Sequence, residues 1–145
     1  KIDMLKCDVD DRALAILAGL PKITEILTCS TQVKDLSALF PIQKRITYLD
    51  LCNTNFRKFE TLKKFKNIRI MKLWGLPIKD LSVIAHLTDM EELDLNGAKV
   101  NSLKPIYGMK KLKKLILIDV EISKEEIEAF KKEVPDAEVQ LEYEM

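Results

Sequence analysis

Apolar residues recur along this chain with a period of 22 positions, and that period limits its fold more than any other feature of the 145 residues. From Ile46 they fall at Ile46, Leu49, Leu51, Phe56, Phe59, Leu62 and Phe65. The same spacing returns as Ile68, Met71, Leu73, Ile78, Leu81, Ile84 and Leu87, and again as Met90, Leu93, Leu95, Val100, Leu103, Ile106 and Met109. A further register holds Leu112, Leu115, Leu117 and Ile122. Toward the N-terminus, Ile23, Ile26, Val33, Leu36, Leu39 and Ile42 fit once one residue is inserted before Ile46 and Thr28 takes a core position. Residues 1–22 match more loosely through Met4, Leu14, Leu17 and Leu20, and read as an atypical first turn. A fixed period of this length marks a stack of units, none of which can bury its own apolar face alone.

Each unit carries an apolar-x-apolar core, which in a strand places two side chains inward and one outward between them. Stacking such units builds a parallel sheet, one short strand per turn. Around Lys34 to Ile42 and Lys79 to Leu87 the apolar residues fall every third position, which predicts short helical or 3₁₀ turns returning behind the sheet. Asp35 and Asp80, each before Leu-Ser, are predicted caps for those turns. Asp10 or Asp11 opens a short helix ending near Gly19. Ser123-Lys-Glu-Glu126 is a capping-box sequence for a helix running to about Glu133 and stopped by Pro135. Val139, Leu141 and Tyr143 then alternate with acids, as in an edge strand guarded by charge. The chain therefore reads as one domain over 1–145: a first turn at 1–22, repeats at 23–133 with the cap helix in the last, and a terminal edge strand at 134–145.

The carrying segments are Ile46-Thr-Tyr-Leu-Asp-Leu51, Ile68-Arg-Ile-Met-Lys-Leu73, Met90-Glu-Glu-Leu-Asp-Leu95 and Leu112-Lys-Lys-Leu-Ile-Leu117. They resemble the leucine-rich-repeat family, L-x-x-L-x-L-x-x-N-x-L, in the 22-residue form shared by bacterial internalins and a eukaryotic phosphatase-regulatory subgroup. Thr31-Gln-Val-Lys-Asp-Leu-Ser37 likewise resembles the T-x-V-x-D-L-S run of internalin-like repeats. The resemblance implies an α/β right-handed solenoid, a horseshoe with a parallel concave sheet and short turns on the convex side. The family's asparagine is replaced by Val9, Thr31, Thr54, Leu76, Ala98 and Val120, so its side-chain ladder is absent and the loop after each strand is expected to be less rigid.

Aligned turns define outward columns. One reads Asp3, Glu25, Tyr48, Ile70, Glu92 and Lys114; the next Leu5, Leu27, Asp50, Lys72, Asp94 and Ile116; the third Cys7, Cys29, Cys52, Trp74, Asn96 and Ile118. Tyr48, Ile70 and Trp74 lie on neighbouring rungs, and such residues anchor interfaces. Asp50, Lys72 and Asp94 alternate in sign, which either pairs them internally or sets a partner's register. The candidate partner-binding residues are therefore Tyr48, Asp50, Cys52, Ile70, Lys72, Trp74, Glu92, Asp94 and Asn96. The competing reading folds Trp74 down over its own solenoid.

Other chemistry finds little support. The single histidine, His86, sits beside core residue Leu87 on the convex side, away from the cysteines, where a Ser-His or Cys-His nucleophile has no partner. There is no phosphate-cradling G-x-x-x-x-G-K or G-x-G-x-x-G, and carboxylate pairs such as Glu91 and Glu92 suit a solvated face. The outer two of the three cysteines would lie roughly 10 Å apart on a sheet, too far for sulfurs that share a tetrahedral zinc at about 4 Å. A disulfide between adjacent rungs is geometrically marginal. Lys63, Lys64 and Lys66, and Lys110, Lys111, Lys113 and Lys114, form basic clusters, but net charge is only +1 and they fall on exposed positions around core residues. No run approaches the ~20 apolar residues of a membrane-spanning helix. The sequence thus predicts a non-enzymatic, monomeric protein-interaction module with no cofactor, no metal, no nucleic acid and no membrane insertion; a structural spacer or a regulatory subunit domain is the alternative. The internalin resemblance implies a bacterial surface or secreted setting, whereas three unpaired cysteines favour the cytoplasm. A start at Lys1 fits an excised domain or a mature form whose leader has been removed.

Overall fold

Strands of two or three residues have no stability by themselves, so the fold rests on how each one meets the next. The computed structural model describes residues 1–4 and 9–143. Among the described residues seven strands form one sheet in sequence order: β1 (Ile2–Asp3), β2 (Glu25–Leu27), β3 (Tyr48–Asp50), β4 (Ile70–Lys72), β5 (Glu92–Asp94), β6 (Lys114–Ile116) and β7 (Glu138–Gln140). Every neighbouring pair is parallel. Ile26, Leu49, Met71, Leu93 and Leu115, in register from β2 to β6, are fully buried, as are Leu51, Leu73 and Leu95 two residues further on. They meet the inner side chains of 3₁₀ turns at Ser37–Arg45, Phe59–Lys64, Leu81–Ile84 and Lys104–Ile106, where Leu39, Leu62, Ile84 and Ile106 are also fully buried. The every-third-residue pattern of the sequence thus corresponds to 3₁₀ turns, as expected from their three residues per turn.

The strand ends are tied by the main chain. Just after β2 to β6 comes a residue with positive φ: Ser30, Asn53, Gly75, Gly97 or Asp119. The N–H groups of Ser30, Asn53, Gly75 and Gly97 donate to Cys52, Trp74, Asn96 and Ile118 on the following rung at 2.8–3.0 Å. The same turns close on themselves through Thr54, Leu76 and Ala98, whose N–H groups donate to Leu51, Leu73 and Leu95. Where a leucine-rich repeat would carry asparagine, Thr31 and Thr54 also donate their hydroxyls to the carbonyls of Thr28 and Leu51, at 2.7 and 2.8 Å. The loops after the strands therefore have a main-chain ladder of their own.

Both ends carry helices. Helix α1 (Asp11–Ala18) starts at Asp10, whose carboxylate accepts from Arg12 N, and ends at Gly19. Asp11 instead accepts from the N–H groups of Lys34 and Asp35 on the next turn. Asp80 caps its turn as predicted, accepting from Ser82 N at 2.8 Å; Asp35 stands one residue before the N-cap of the other turn, Leu36, and accepts from Ser37 N at 2.8 Å. Helix α2 (Lys124–Glu133) has Ser123 as its N-cap, but only half of a capping box forms. The Glu126 carboxylate turns to the preceding repeat, accepting from Ser102 Oγ at 2.9 Å and Leu103 N at 2.7 Å. This joins the cap to the repeats. The final strand is shorter than the alternating sequence predicts, Glu138–Gln140 only, and Leu141 and Tyr143 are exposed beyond it.

Three substitutions test this account. Leu93→Ala should cost about 2–5 kcal/mol, read by urea unfolding, because it opens a cavity between rungs. Gly75→Ala should cost about 1–2 kcal/mol, since Gly75 has φ +73 and a Cβ there would run into the Asn53 side-chain oxygen. Gly108→Ala, where the nearest atom to a Cβ is at 4.0 Å, should stay within about 0.5 kcal/mol of the parent.

Candidate functional site

Register decides which residues share the outward face. Tyr48, Ile70, Glu92 and Lys114 stand side by side, as do Asp50, Lys72, Asp94 and Ile116. The first rung departs from the columns read in the sequence: Ile2 pairs with Ile26 and Asp3 with Leu27, so Asp3 does not join Glu25. Equivalent positions there are 24 residues apart, because the first turn contains an α-helix, which rises less per residue than a 3₁₀ turn and takes up more chain. Leu5 and Cys7 lie outside the described residues.

The alternating charges of the middle column are used locally. Asp50 accepts from Cys52 N and Asp94 from Asn96 N, both at 2.9 Å, so each carboxylate caps the turn that ends its strand. Lys72, between them, pairs with Glu92 at 3.4 Å, and its ammonium lies 5.9 Å from the centre of the Tyr48 ring. Burial opposes the charge on Lys72, but Glu92 and Tyr48 outweigh it and raise its pKa. Burial is also the largest reason that the Tyr48 hydroxyl and the Asp94 carboxyl are shifted upward. At Asp94 the Asn96 N–H and Lys72 oppose that shift, while Glu92 and Asp50 add to it.

Among the nine candidate partner-binding residues, Trp74 is 41% exposed, and Tyr48, Ile70, Lys72, Glu92 and Asp94 are partly exposed. Trp74 is only partly covered: its carbonyl is held by Asn53 N at 2.9 Å, and it remains among the exposed large hydrophobic residues. Asp50, Cys52 and Asn96 are 8%, 4% and 6% exposed, so they brace the face from below. Asn96 also donates to the Tyr143 hydroxyl at 3.2 Å, bringing the C-terminal segment over that end of the face.

One grouping was missed by treating cysteines only as a column of three. Cys29 Sγ, a carboxylate oxygen of Asp50 and Cys52 Sγ all lie within 4.8 Å of one another. The available signal was the Asp-x-Cys spacing of Asp50 and Cys52 beside a cysteine on the rung before. The other sequence candidates are ordinary. His86 lies at the surface with Nε2 2.7 Å from the Phe65 carbonyl oxygen. Lysines of the basic clusters make ion pairs, Lys63 with Glu60 at 2.6 Å, Lys111 with Asp89 at 2.5 Å and Lys110 with Glu133 at 3.4 Å.

Neither a family model nor a curated protein matches this sequence. Solved structures do match. Internalin C2 of Listeria monocytogenes aligns over 96% of this chain and 59% of its own, with a TM-score of 0.81 at 16% identity. The fold is a leucine-rich-repeat solenoid. A leucine-rich-repeat protein of Leptospira interrogans aligns over 93% of this chain and 34% of its own (TM-score 0.71, 19% identity). Internalin F of L. monocytogenes aligns over 76% and 38% (TM-score 0.58, 20% identity). The chain thus spans 59% or less of each of these relatives in fold. Among the described residues no helix is long and apolar enough to cross a membrane.

The concave carboxylate supplies a pH test. The folded solenoid holds the Asp94 proton more tightly than the unfolded chain does, so this group lowers stability as pH rises above the ordinary carboxylate range and has no such effect below it. Asp94→Asn, which keeps an acceptor for Asn96 N, should therefore raise the melting temperature at pH 7, with the gain shrinking on acidification. Equal melting temperatures at pH 7 would contradict the burial argument.

Proposed function

We propose that this solenoid is a non-enzymatic protein-interaction module that holds a partner protein on its concave face. Tyr48, Ile70 and Trp74 anchor the partner, and Lys72, Glu92 and Asp94 supply the polar contacts around them. The observation that carries this reading is a 41% exposed tryptophan on a turn tied to its neighbours by main-chain hydrogen bonds, one column from a half-buried Lys72–Glu92 pair. Rigid aromatic side chains anchor interfaces because they bring large area at low entropic cost, and charges beside them select partners. Asp50, Cys52 and Asn96 contribute by holding the turns that present this surface. A spacer role is the second reading, favoured by Ile16 and Leu20 of the first turn, which are 71% and 42% exposed.

The test is capture from bacterial lysate, extracellular matrix and host-cell extract by the parent chain and by a Tyr48→Ala, Trp74→Ala double variant whose fold is verified by circular dichroism. Loss of a hot-spot pair should weaken the captured partner by about thirtyfold or more. Lys63→Ala with Lys64→Ala, at the exposed ends of a 3₁₀ turn, should leave capture unchanged. Equal capture by parent and aromatic variant would move the site elsewhere. No capture, together with self-association that rises with concentration, would favour the spacer.

A further inference from the structure

The corner between the second and third rungs holds two thiols and a carboxylate whose side chains the binding reading does not bring to a partner. Leu27 is in register with Asp50, so Cys29 and Cys52, two residues on, meet across adjacent rungs. We propose that Cys29, Asp50 and Cys52 form a binding site for a thiophilic divalent metal ion of the zinc(II) class, with a fourth position left for water.

Three observations carry the assignment. First, the donor atoms are already gathered: both sulfurs and the carboxylate oxygen lie within 4.8 Å of one another. Tetrahedral zinc, with bonds of about 2.3 Å to sulfur and 2.0–2.2 Å to oxygen, needs such donors roughly 3.5–3.8 Å apart. A contraction on the order of 1 Å is within reach of a side-chain rotation at Cys29, which is only partly buried. Second, Asp50 is a carboxylate 92% removed from solvent that takes part in none of the ion pairs among the described residues. Lys72, its neighbour in register, is directed to Glu92. A buried anion without a counter-charge is costly, and a cation at the sulfurs would supply one. Third, the main chain holds the donors in place: Cys52 N donates to Asp50, and Ser30 N donates to the Cys52 carbonyl at 2.8 Å.

The donor set selects the ion. Two thiolates favour zinc, cadmium or cobalt over calcium and magnesium, which require oxygen. Binding releases the thiol protons to solvent as two sulfur–metal bonds form, with the Asp50 carboxylate as the third donor. No electrons are transferred.

The experiment titrates the reduced full chain with zinc(II), and with cobalt(II) and cadmium(II) as spectroscopic probes, both as it stands and with Cys7→Ser, which leaves Cys29 and Cys52 as the only thiols. The expected result is one ion per chain with sulfur-to-metal charge transfer and tetrahedral cobalt bands in both proteins. Cys29→Ser and Cys52→Ser should abolish that signal, and Asp50→Asn, which retains an acceptor for Cys52 N, should weaken binding at least tenfold. Circular dichroism verifies each fold; should Cys7→Ser not fold, the other three substitutions in the parent chain decide. Absence of charge transfer overturns the site. So does half an ion per chain, which means bridging between molecules, or a signal that disappears with Cys7→Ser, which moves the ion to another donor set. Asp50→Asn binding as tightly as the parent would also overturn it. Because the readout is metal binding, its failure is distinguishable from failure of the protein-binding proposal.

Discussion

Main-chain hydrogen bonds between one rung and the next are the interaction on which everything else in this molecule depends. Each strand is at most three residues long and has no partner within its own turn. The ladder does not stop where the strands stop: left-handed residues after them send their N–H groups on to the following rung. This extension ties neighbouring turns through the main chain, including those with Leu76 and Ala98 where the repeat pattern that the chain resembles has asparagine. Leucines pointing inward supply the driving force, but the ladder decides that they meet at one spacing.

A spacing of 22 or 23 residues between equivalent atoms also organises the charges. Asp35 pairs with Lys58, Arg69 with Glu91, Asp89 with Lys111 and Lys110 with Glu133, in each case one turn away. Exposed pairs of this kind contribute little individually, because water and salt screen them. Their significance is that lysine runs in the sequence are interleaved in space with acids from the neighbouring turn. The face proposed to bind a protein carries aromatic and aliphatic groups, Tyr48, Ile70 and Trp74, beside the Lys72–Glu92 pair.

The two proposed sites share a rung and differ in kind. Asp50 ends the strand that begins with Tyr48, so the carboxylate that would hold a metal ion sits two residues from an anchor of the protein-binding face. The face uses what the rungs expose, while the thiol corner uses what they bury. Both arise from a single rule, that a parallel register brings side chains about 5 Å apart regardless of their distance in sequence.

The sequence by itself determined the architecture, because a 22-residue period of apolar residues can be satisfied only by stacking. The strands β2 to β6, the 3₁₀ turns, the cap at Asp80 and both helices were legible for that reason, as was the neighbourhood of Tyr48 and Ile70. Tertiary structure decided matters that no period encodes. It set a 24-residue first turn, because an α-helix shortens chain more than a 3₁₀ turn does, and it moved Asp3 out of its expected column. It sent Glu126 to Ser102 and Leu103 rather than to its own helix start, since a buried N–H on the preceding repeat needed an acceptor. Finally, it separated exposed Trp74 from buried Cys52 and Asn96 within one column, and brought Cys29, Asp50 and Cys52 together. Periodicity says which residues are equivalent. Only the curvature of each turn says which of them face water.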